Sequence, residues 1–302
     1  MGVEDLVVVL RSQLGNRVAP NAVLARHTSF RIGGPAEVLV TPETVEDLAL
    51  ALRAAAEARV RVTLVGGGSN VLIGDGGIGG VVVKLGRGFA RIDWSASSGE
   101  VRAGAAVQMG KLSRQSVARG LAGLEYAEGI PGTVGGALFM NAGAYGGDIS
   151  SAVAAVEGIE ADGTPRTLTG VRFTYRHAEL PAGFVVTAVR FALRPEDPTA
   201  VRARAEAART RRTASQPHGN PSAGSIFKNP PGDFAGRLIE ASGLKGRRAG
   251  RARISERHAN FIVNEGGARA VEVKLLMELA QRAVWERSGV WLEPEVRLVG
   301  RW

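Results

Sequence analysis

Two glycine-rich segments constrain this 302-residue chain more than any other feature. The first, Gly66-Gly67-Gly68-Ser69-Asn70, follows an apolar run at 60–65 and leads into another apolar run. That order predicts strand, glycine turn, strand, whereas a Rossmann fingerprint requires a helix that opens at the glycines. The Gly-Lys-Ser/Thr of a Walker motif is also missing. We therefore predict that backbone amides of a turn face a ligand here, with a plain tight turn as the alternative.

The second segment, at 129–147, surrounds one short apolar stretch with glycines. Helix packing would account for Gly135 and Gly136, but not for so many glycines around one short helix. Glycine permits the closest approach of the main chain to a neighbour. The two segments together predict a large planar or phosphate-bearing ligand that lies directly against the backbone.

A third segment, 222–230, places a hydroxyl, an ammonium and a carboxamide in a loop that ends at a proline. Ser225, Lys228 and Asn229 are side chains that could donate a proton and hold an anion. An ordinary surface loop rich in proline and glycine is the alternative interpretation.

The net charge of +9 comes largely from two basic segments, at 202–212 and 245–257. A nucleic-acid surface is one interpretation, but these segments lack interleaved aromatic residues and the chain has no recognisable nucleic-acid-binding motif. Because 202–212 lies in an alanine-rich helical pattern, we predict a solvated helix face there. A pocket for a doubly charged anion such as a nucleotide pyrophosphate is a further alternative.

Several classes of site are excluded by composition. The chain has no cysteine, so disulfides, thiolate catalysis and cysteine metal sites are impossible. None of its four histidines are spaced as a metal-binding pair, so we expect no metal. We also expect no membrane segment and no signal peptide, because no apolar run is long enough and the N-terminus carries Glu4 and Asp5 rather than basic residues.

Local patterns predict the order of elements. We expect helices from Pro42 to Arg59 with Thr41 as N-cap, at 108–119, from about 199 to 212, and from about 268 to a stop at Gly289. Strands are predicted at 60–65, 81–85, 260–264 and 290–300, with a meander over 153–192. Near residue 199 the alternating strand pattern gives way to a helical pattern. We predict three parts: 1–85, 86–198 and a separate α+β domain at 199–302.

Eight segments, in order, resemble the UDP-N-acetylenolpyruvoylglucosamine reductases, the flavoenzymes of the MurB family. They are HTSFRIGGPA at 27–36, VGGGSNVLIGDGGIGGVVVKL at 65–85, GIPGTVGGALFMNAGAYGGDI at 129–149, YRHAEL at 175–180, SAGSIFKNP at 222–230, AGRLIEASGLKG at 235–246, ISERHANFIVN at 254–264 and LEPEVRLVG at 292–300. The resemblance covers most of the chain.

The resemblance implies an α+β fold: a two-lobed FAD-binding part of the vanillyl-alcohol-oxidase/PCMH type and a C-terminal domain that binds a UDP-sugar. It implies a cytoplasmic enzyme of peptidoglycan precursor synthesis that uses NADPH and FAD. The flavin is expected to be non-covalent, because the chain has no cysteine and the two glycine segments contain no histidine. We expect no nucleic acid, membrane or obligate protein partner.

The resemblance also implies roles for individual residues. Arg176 would stabilise the charge that develops on the enolpyruvyl group, Ser225 would donate a proton, and Glu295 would assist that transfer. Lys228 and Asn229 would face the diphosphate and the uracil. The residues implied to bind FAD are Arg31, Gly66, Gly67, Gly68, Ser69, Asn70, Gly129, Ile130, Pro131, Gly132, Gly135, Gly136, Asn141 and Gly143.

The chain departs from the family pattern in two places, and two alternative functions remain open. Many relatives carry serine two places after the motif arginine, where this chain has Ala178. No long tyrosine-bearing insertion lies between 176 and 225, which predicts the shorter subtype of the family. An FAD-dependent sugar or hydroxy-acid oxidase of the same fold is one alternative function, and a basic nucleic-acid-binding protein is a more remote one.

Overall fold

The computed structural model describes residues 2–95 and 99–302. These residues form two compact units. Unit 1 contains the chain up to Pro20 together with Val38–Gly67 and Gly80–Arg212, and unit 2 contains Asn21–Glu37, Gly68–Gly79 and Thr213–Trp302. The chain therefore passes between the units several times. The division into 1–85, 86–198 and 199–302 stays a prediction.

The described residues form seven α-helices and twenty short strands. The helices are α1 (Val3–Leu14), α2 (Val45–Glu57), α3 (Met109–Ala118), α4 (Val134–Phe139), α5 (Pro198–Ser215), α6 (Ala235–Ala241) and α7 (Ala270–Ser288). The strands are β1 (Val18–Val23), β2 (Pro35–Val40), β3 (Val62–Leu64), β4 (Val71–Ile73), β5 (Ile78–Val83), β6 (Ile92–Trp94), β7 (Glu100–Gly104), β8 (Leu121–Ala122), β9 (Gly143–Ala144), β10 (Gly147–Asp148), β11 (Val153–Ile159), β12 (Pro165–Thr169), β13 (Phe173–Thr174), β14 (His177–Ala178), β15 (Val185–Ala192), β16 (Arg194–Pro195), β17 (Arg248–Ala249), β18 (Ala252–Ile254), β19 (Ile262–Asn264) and β20 (Arg297–Val299).

Unit 1 is built around a five-stranded antiparallel sheet in the order β12–β11–β15–β7–β6. The alternating pattern at 153–192 predicted a meander of strands; the strands are present, but β11 pairs with both β12 and β15, so consecutive strands are not all neighbours. Side chains of α3, α4 and the sheet share one apolar core that includes Leu112, Val134, Val156 and Phe191. A second core in the same unit packs α1 and α2 against the parallel pair of β3 and β5.

The start of α2 corrects the sequence prediction. The helix begins at Val45 rather than at Pro42, and its N-cap is Thr44 rather than Thr41. The Thr44 hydroxyl accepts from the Asp47 N–H at 3.1 Å, and the Asp47 carboxylate accepts from the Thr44 N–H at 3.2 Å. This reciprocal capping box satisfies two N–H groups, which is why the later threonine is the cap.

Unit 2 joins distant parts of the sequence. β20 runs parallel to β4, with Arg297 opposite Val71. The Asp75 carboxylate accepts from the N–H groups of Ala270 and Val271 at 2.8 and 3.1 Å, and so caps the start of α7. Gly289, with φ +69°, ends α7 as predicted, because glycine adopts the left-handed conformation without strain.

The core of unit 2 lies between α6, α7 and the sheet β17–β18–β19. Phe30, Leu72, Phe227 and Met277 are among its fully or almost fully buried side chains. β20 is shorter than the strand predicted at 290–300, since only three residues pair with β4. In the part of the chain that the structure describes, no helix is long and apolar enough to cross a membrane, and no cluster of three or more acidic or histidine side chains could hold a metal ion.

Candidate active site

The first glycine turn begins directly after β3 and lies against the second glycine segment within unit 1. A Cβ placed on Gly67 would lie 2.6 Å from the Cα of Gly132, which is closer than real Cβ atoms approach. A Cβ placed on Gly66 would lie 3.0 Å from the hydroxyl oxygen of Thr133. The main chains of the two glycine segments therefore touch, and glycine at position 67 is required for that contact.

Lys84 adds a positive charge beside this turn. Its ammonium group donates to the carbonyl oxygen of Gly66 at 2.8 Å, and burial lowers the pKa of Lys84. Lys84 was not predicted from the sequence, because a single lysine at the end of an apolar strand carries no signal of its own. A cation at this position favours the approach of a phosphate to the turn.

Gly135 and Gly136 are neighbours in the first turn of α4, but their surroundings differ. A Cβ on Gly135 would lie 3.0 Å from the Cβ of Ala105, so glycine is needed there for packing. A Cβ on Gly136 would meet nothing closer than the Thr133 hydroxyl oxygen, at an ordinary 3.6 Å. Glycine at Gly136, where a methyl group would fit, is what close approach of a ligand to the backbone predicts.

Arg212 corrects the prediction that the whole basic segment 202–212 is solvated. The other arginines of the segment are exposed, as predicted: Arg202, Arg204, Arg209 and Arg211. Arg212 instead continues the buried stripe of α5 formed by Val201, Ala205 and Ala208. A Cβ on Gly129 would lie 3.2 Å from Cδ of Arg212, and burial lowers the pKa of Arg212. The helical spacing of these four positions was the available signal.

Asn141 and Gly143 shape the loop that follows α4. Asn141 is 5% exposed and has φ +40°. Its side-chain amide donates to the carbonyl oxygen of Thr174 at 3.0 Å, and its side-chain oxygen accepts from the Ser150 N–H at 3.3 Å. A Cβ on Gly143 would lie 2.6 Å from the carbonyl oxygen of Gly147, which belongs to β10, the strand that pairs with β9. Both residues are thus fixed by the main chain around them.

Arg176 occupies the second position of a two-residue turn between β13 and β14. Thr174 pairs with His177 on either side of the turn, and Arg176 has φ +59°. Glycine is the usual residue at such a position, so arginine bears a backbone cost. The guanidinium carbon lies 4.9 Å from the centre of the Tyr175 ring. Ala178, the departure from the family pattern, is buried in β14.

Ser225 and Glu295 are brought together within unit 2 by main-chain pairing of the residues beside them. The Glu295 N–H donates to the carbonyl oxygen of Ile226 at 2.8 Å, and the Lys228 N–H donates to the carbonyl oxygen of Glu293 at 2.9 Å. These bonds flank an antiparallel bridge between residues 227 and 294. Both Ser225 and Glu295 are half-buried, so each side chain has access to solvent or to a ligand.

The last part of the first glycine turn lies beside this pair, also within unit 2. The Ser29 N–H donates to the carbonyl oxygen of Gly68 at 2.9 Å, and its hydroxyl donates to the carbonyl oxygen of Ser222 at 2.7 Å. The Asn70 side-chain amide donates to the carbonyl oxygen of Glu295 at 3.0 Å. Two predicted cofactor-binding residues are therefore joined to the loops that carry the predicted catalytic pair.

The remaining predicted site residues lie at several places. Lys228 forms an ion pair with Glu293, and the Asn229 side-chain oxygen accepts from the Ala235 N–H at the start of α6 at 3.1 Å. Arg31 is exposed with φ +55°, in unit 2. The others are placed as follows: Ser69 is half-buried in unit 2, while Ile130 is half-buried and Pro131 exposed in unit 1. Arg176 is in unit 1, whereas Ser225 and Glu295 are in unit 2.

Tyr126 has a buried hydroxyl group without a hydrogen-bond partner among the described residues. Its side chain lies in the core of unit 1, and burial raises the pKa of Tyr126. The ring is close to Gly147, where a Cβ would lie 2.7 Å from the ring carbon Cδ1. This packing identifies Tyr126 as an aromatic side chain of the core.

Comparison with protein families matches two parts of the chain. Residues 36–169 match a family described as FAD binding domain, and residues 216–299 match the UDP-N-acetylenolpyruvoylglucosamine reductase C-terminal domain. The first region contains both glycine segments, and the second contains Ser225 and Glu295. The predicted fold class, an FAD-binding part followed by an α+β C-terminal domain, is confirmed.

Individual relatives match almost the full length. A UDP-N-acetylenolpyruvoylglucosamine reductase of Anaeromyxobacter sp. is 45% identical over 99% of this chain and 94% of its own length. The corresponding reductase 2 of Symbiobacterium thermophilum is 47% identical over 92% of this chain and 90% of its own. The crystal structure of UDP-N-acetylenolpyruvylglucosamine reductase from Thermus caldophilus is 37% identical, covers 93% of this chain and 97% of that one, and has a TM-score of 0.80.

Proposed function

This chain belongs to the UDP-N-acetylenolpyruvoylglucosamine reductase family, whose members are oxidoreductases of peptidoglycan precursor synthesis, and from that premise we propose its reaction. The chain reduces the enolpyruvyl ether of UDP-N-acetylenolpyruvoylglucosamine to the lactyl ether of UDP-N-acetylmuramate, with NADPH as reductant and FAD as a non-covalent cofactor. Both substrates are cytoplasmic metabolites, so the enzyme works in the cytoplasm.

The glycine segments fit a dinucleotide. Gly66 is exposed beside the Lys84 ammonium group, and Gly136 leaves space next to the backbone where a side chain would otherwise stand. Residues 66–70, 129–132, Gly135, Gly136, Asn141 and Gly143 would hold the cofactor along the main chain, together with Arg31. FAD bound there would supply the chemistry of hydride transfer from NADPH to the terminal carbon of the enolpyruvyl group.

The chain itself must supply a cation and a proton. Addition of hydride to the terminal carbon leaves an electron pair on the adjacent carbon, delocalised into its carboxylate. The Arg176 guanidinium stabilises that charge. The Ser225 hydroxyl donates its proton to the adjacent carbon, forming the new C–H bond, and regains a proton from solvent. Glu295 orients the hydroxyl and assists the return of the proton.

One observation carries this assignment. Ser225 and Glu295 belong to two loops more than 60 residues apart, yet adjacent main-chain hydrogen bonds hold the loops in register (Glu295 N to Ile226 O, 2.8 Å). Asn70, from the first glycine turn, bonds to the carbonyl oxygen of Glu295. A hydroxyl donor, a carboxylate and a glycine turn on neighbouring segments of one unit is the arrangement that flavin-dependent reduction with proton transfer requires.

The UDP-sugar is proposed to contact Lys228 and Asn229. They stand three and four residues after Ser225 in the same segment, so an anion held here keeps the rest of the substrate near the proton donor. The ion pair of Lys228 with Glu293 and the contact of Asn229 with the start of α6 fix both side chains before substrate binds. Pre-organised groups lose less conformational entropy when they bind a ligand.

The first test is the visible spectrum of the protein reconstituted with FAD, reduced anaerobically by NADPH and then mixed with UDP-N-acetylenolpyruvoylglucosamine. The proposal expects the oxidised flavin band to return on mixing. A flavin that is reduced by NADPH but is not reoxidised by this substrate would contradict the proposed acceptor. Reduction by a sugar or hydroxy acid, followed by reoxidation with oxygen, would instead identify an oxidase.

The second test separates the two half-reactions. Ser225→Ala should leave reduction by NADPH close to that of the unchanged protein, while reoxidation by the enolpyruvyl sugar should fall by orders of magnitude. Ser222→Ala, three residues earlier in the same loop, is the matched control, because Ser222 takes part through its main-chain carbonyl. Equal loss of both half-reactions in Ser225→Ala would make Ser225 a structural residue.

A further inference from the structure

Asn260 is hydrogen-bonded to the main chain next to Ser225. It is 3% exposed, in the segment just before β19. Its side-chain oxygen accepts from the Phe227 N–H at 2.9 Å, and its side-chain amide donates to the Phe227 carbonyl oxygen at 2.8 Å. Its own carbonyl oxygen accepts from the Ile226 N–H at 2.9 Å. One buried asparagine therefore makes three hydrogen bonds to the two residues that follow Ser225.

The Asn260 side chain forms the hydrogen bonds that a neighbouring β-strand would form. A carboxamide that binds both the N–H and the carbonyl of one residue reproduces the pattern of a hydrogen-bonded β pair. On the other edge, the same segment pairs with the loop of Glu295 through the carbonyl of Ile226 and the N–H of Lys228. Residues 226–228 are thus held from both edges, by Asn260 on one and by 293–296 on the other.

We propose that Asn260 is a positioning residue that sets the distance and orientation of the Ser225 hydroxyl relative to Glu295 during proton transfer. The inference rests on the proposed function, in which Ser225 is the proton donor. Ser225 directly precedes Ile226 and Phe227, the two residues that Asn260 holds by hydrogen bonds, and Gly224 (φ +74°) lies on its other side.

The size of the effect follows from geometry. Without the carboxamide, the buried N–H and carbonyl of Phe227 lose their partners, so the segment will shift to regain hydrogen bonds. A displacement of about 1 Å at a reacting group can cost on the order of 100-fold in rate. We expect Asn260→Ala to slow reoxidation by the enolpyruvyl sugar by about 10- to 100-fold, with reduction by NADPH changed less than about two-fold.

Asn264 provides a matched control four residues away, in β19. It is also 3% exposed, and its side chain also makes three hydrogen bonds: to the carbonyl of Phe30, and from the N–H groups of Gly266 and Ala268. None of these involves residues 225–228. Asn264→Ala therefore reproduces the loss of a buried amide without releasing the Ser225 segment. Both variants should lower the melting temperature of the protein.

The decisive measurement is the rate of reoxidation in H₂O and in D₂O. If Asn260 positions the donor, proton transfer becomes slower in Asn260→Ala and the solvent isotope effect rises. The isotope effect in Asn264→Ala should stay at the value of the unchanged protein. Asn260→Asp keeps the oxygen that accepts from the Phe227 N–H but places a carboxylate oxygen against the Phe227 carbonyl, so it provides a second variant with the same expected direction.

A double-mutant cycle with Ser225→Ala distinguishes failure of this inference from failure of the proposed function. If Asn260 acts through Ser225, Asn260→Ala should add little to the slow reoxidation of Ser225→Ala. Multiplicative effects of the two substitutions, or equal loss of both half-reactions in Asn260→Ala, would overturn the positioning role while the function stands. Fast reoxidation in Ser225→Ala alone would overturn the proposed proton donor and this inference with it.

Discussion

Replacing Gly136 by alanine tests whether glycine at this position is required for packing or for cofactor binding. The nearest heavy atom to an added Cβ is the Thr133 hydroxyl oxygen at 3.6 Å, so the methyl group fits without displacing its neighbours. Alanine is favoured over glycine within a helix by roughly 1 kcal/mol. The FAD-free protein should therefore gain up to about 1 kcal/mol in its free energy of unfolding, which raises Tm by roughly 2–4 °C.

FAD binding should change in the opposite direction. If the flavin lies against the backbone at Gly136, the methyl group occupies its space, and we expect Kd to rise by at least about 10-fold, equivalent to about 1.4 kcal/mol. The assays are calorimetry of the FAD-free protein and a fluorescence titration with FAD. A Gly136→Ala protein that binds FAD as tightly as the unchanged chain would refute the placement of the cofactor against α4.

Gly135→Ala is the matched control in the same helical turn. Its Cβ would lie 3.0 Å from the Ala105 Cβ, so the substitution forces a shift in packing. Overpacking of this kind typically costs about 1–3 kcal/mol. The FAD-free Gly135→Ala protein should thus have a lower Tm. Opposite signs at two neighbouring glycines would show that only one of them is needed for packing.

Three further predictions follow from the contacts of single side chains. Arg212→Met should weaken FAD binding, as followed by flavin fluorescence, because Arg212 packs on Gly129, whereas the exposed Arg209→Met should not. Burial alone would raise the pKa of Glu125, but hydrogen bonds from the main chain and from Arg204 lower it below its ordinary value of 4.5. The ionised Glu125 therefore stabilises the fold fully above pH 4.5, and this stabilisation is lost as the pH falls through the folded pKa. The Tm difference between Glu125→Gln and the unchanged chain should shrink in acid. Asp75→Ala should lower stability by about 0.5–2 kcal/mol in a denaturant titration, since it removes the cap of α7.

The sequence predicted those parts of the fold that local chemistry determines. Helix α7 ends at Ser288 because Gly289 adopts φ +69°, a conformation that glycine allows without strain. The start of α2 was predicted three residues early, because Thr41-Pro42 and Thr44 both resemble a cap and only the contact with Asp47 decides between them. The joining of 21–37 and 68–79 with the C-terminal part depends on long-range contacts, such as that of Asp75 with α7, which no local pattern records.

Residues of the candidate site were predicted from the sequence where they belong to a segment of unusual composition. The two glycine segments and the loop of Ser225 were identified in this way, and the structure places the neighbours of Ser225 against those of Glu295. Arg212 was assigned to a solvated face because the density of charge in its segment masked its position on the buried stripe. Lys84 and Asn260 were missed because each acts on a main-chain group of a distant segment, and such a contact exists only in the folded chain.

Backbone strain distinguishes two kinds of residue among those predicted for the site. Asn141 and Arg176 both have positive φ, +40° and +59°, a conformation that costs a residue other than glycine roughly 1–2 kcal/mol, and less for asparagine. For Asn141 the fold itself explains the cost, because its side chain bonds to Thr174 and Ser150 and so ties two segments together. Arg176 stands in a two-residue turn where glycine would fold with less strain. The strain at Arg176 agrees with the proposed role of its guanidinium toward a substrate, whereas the strain at Asn141 is no argument for ligand binding.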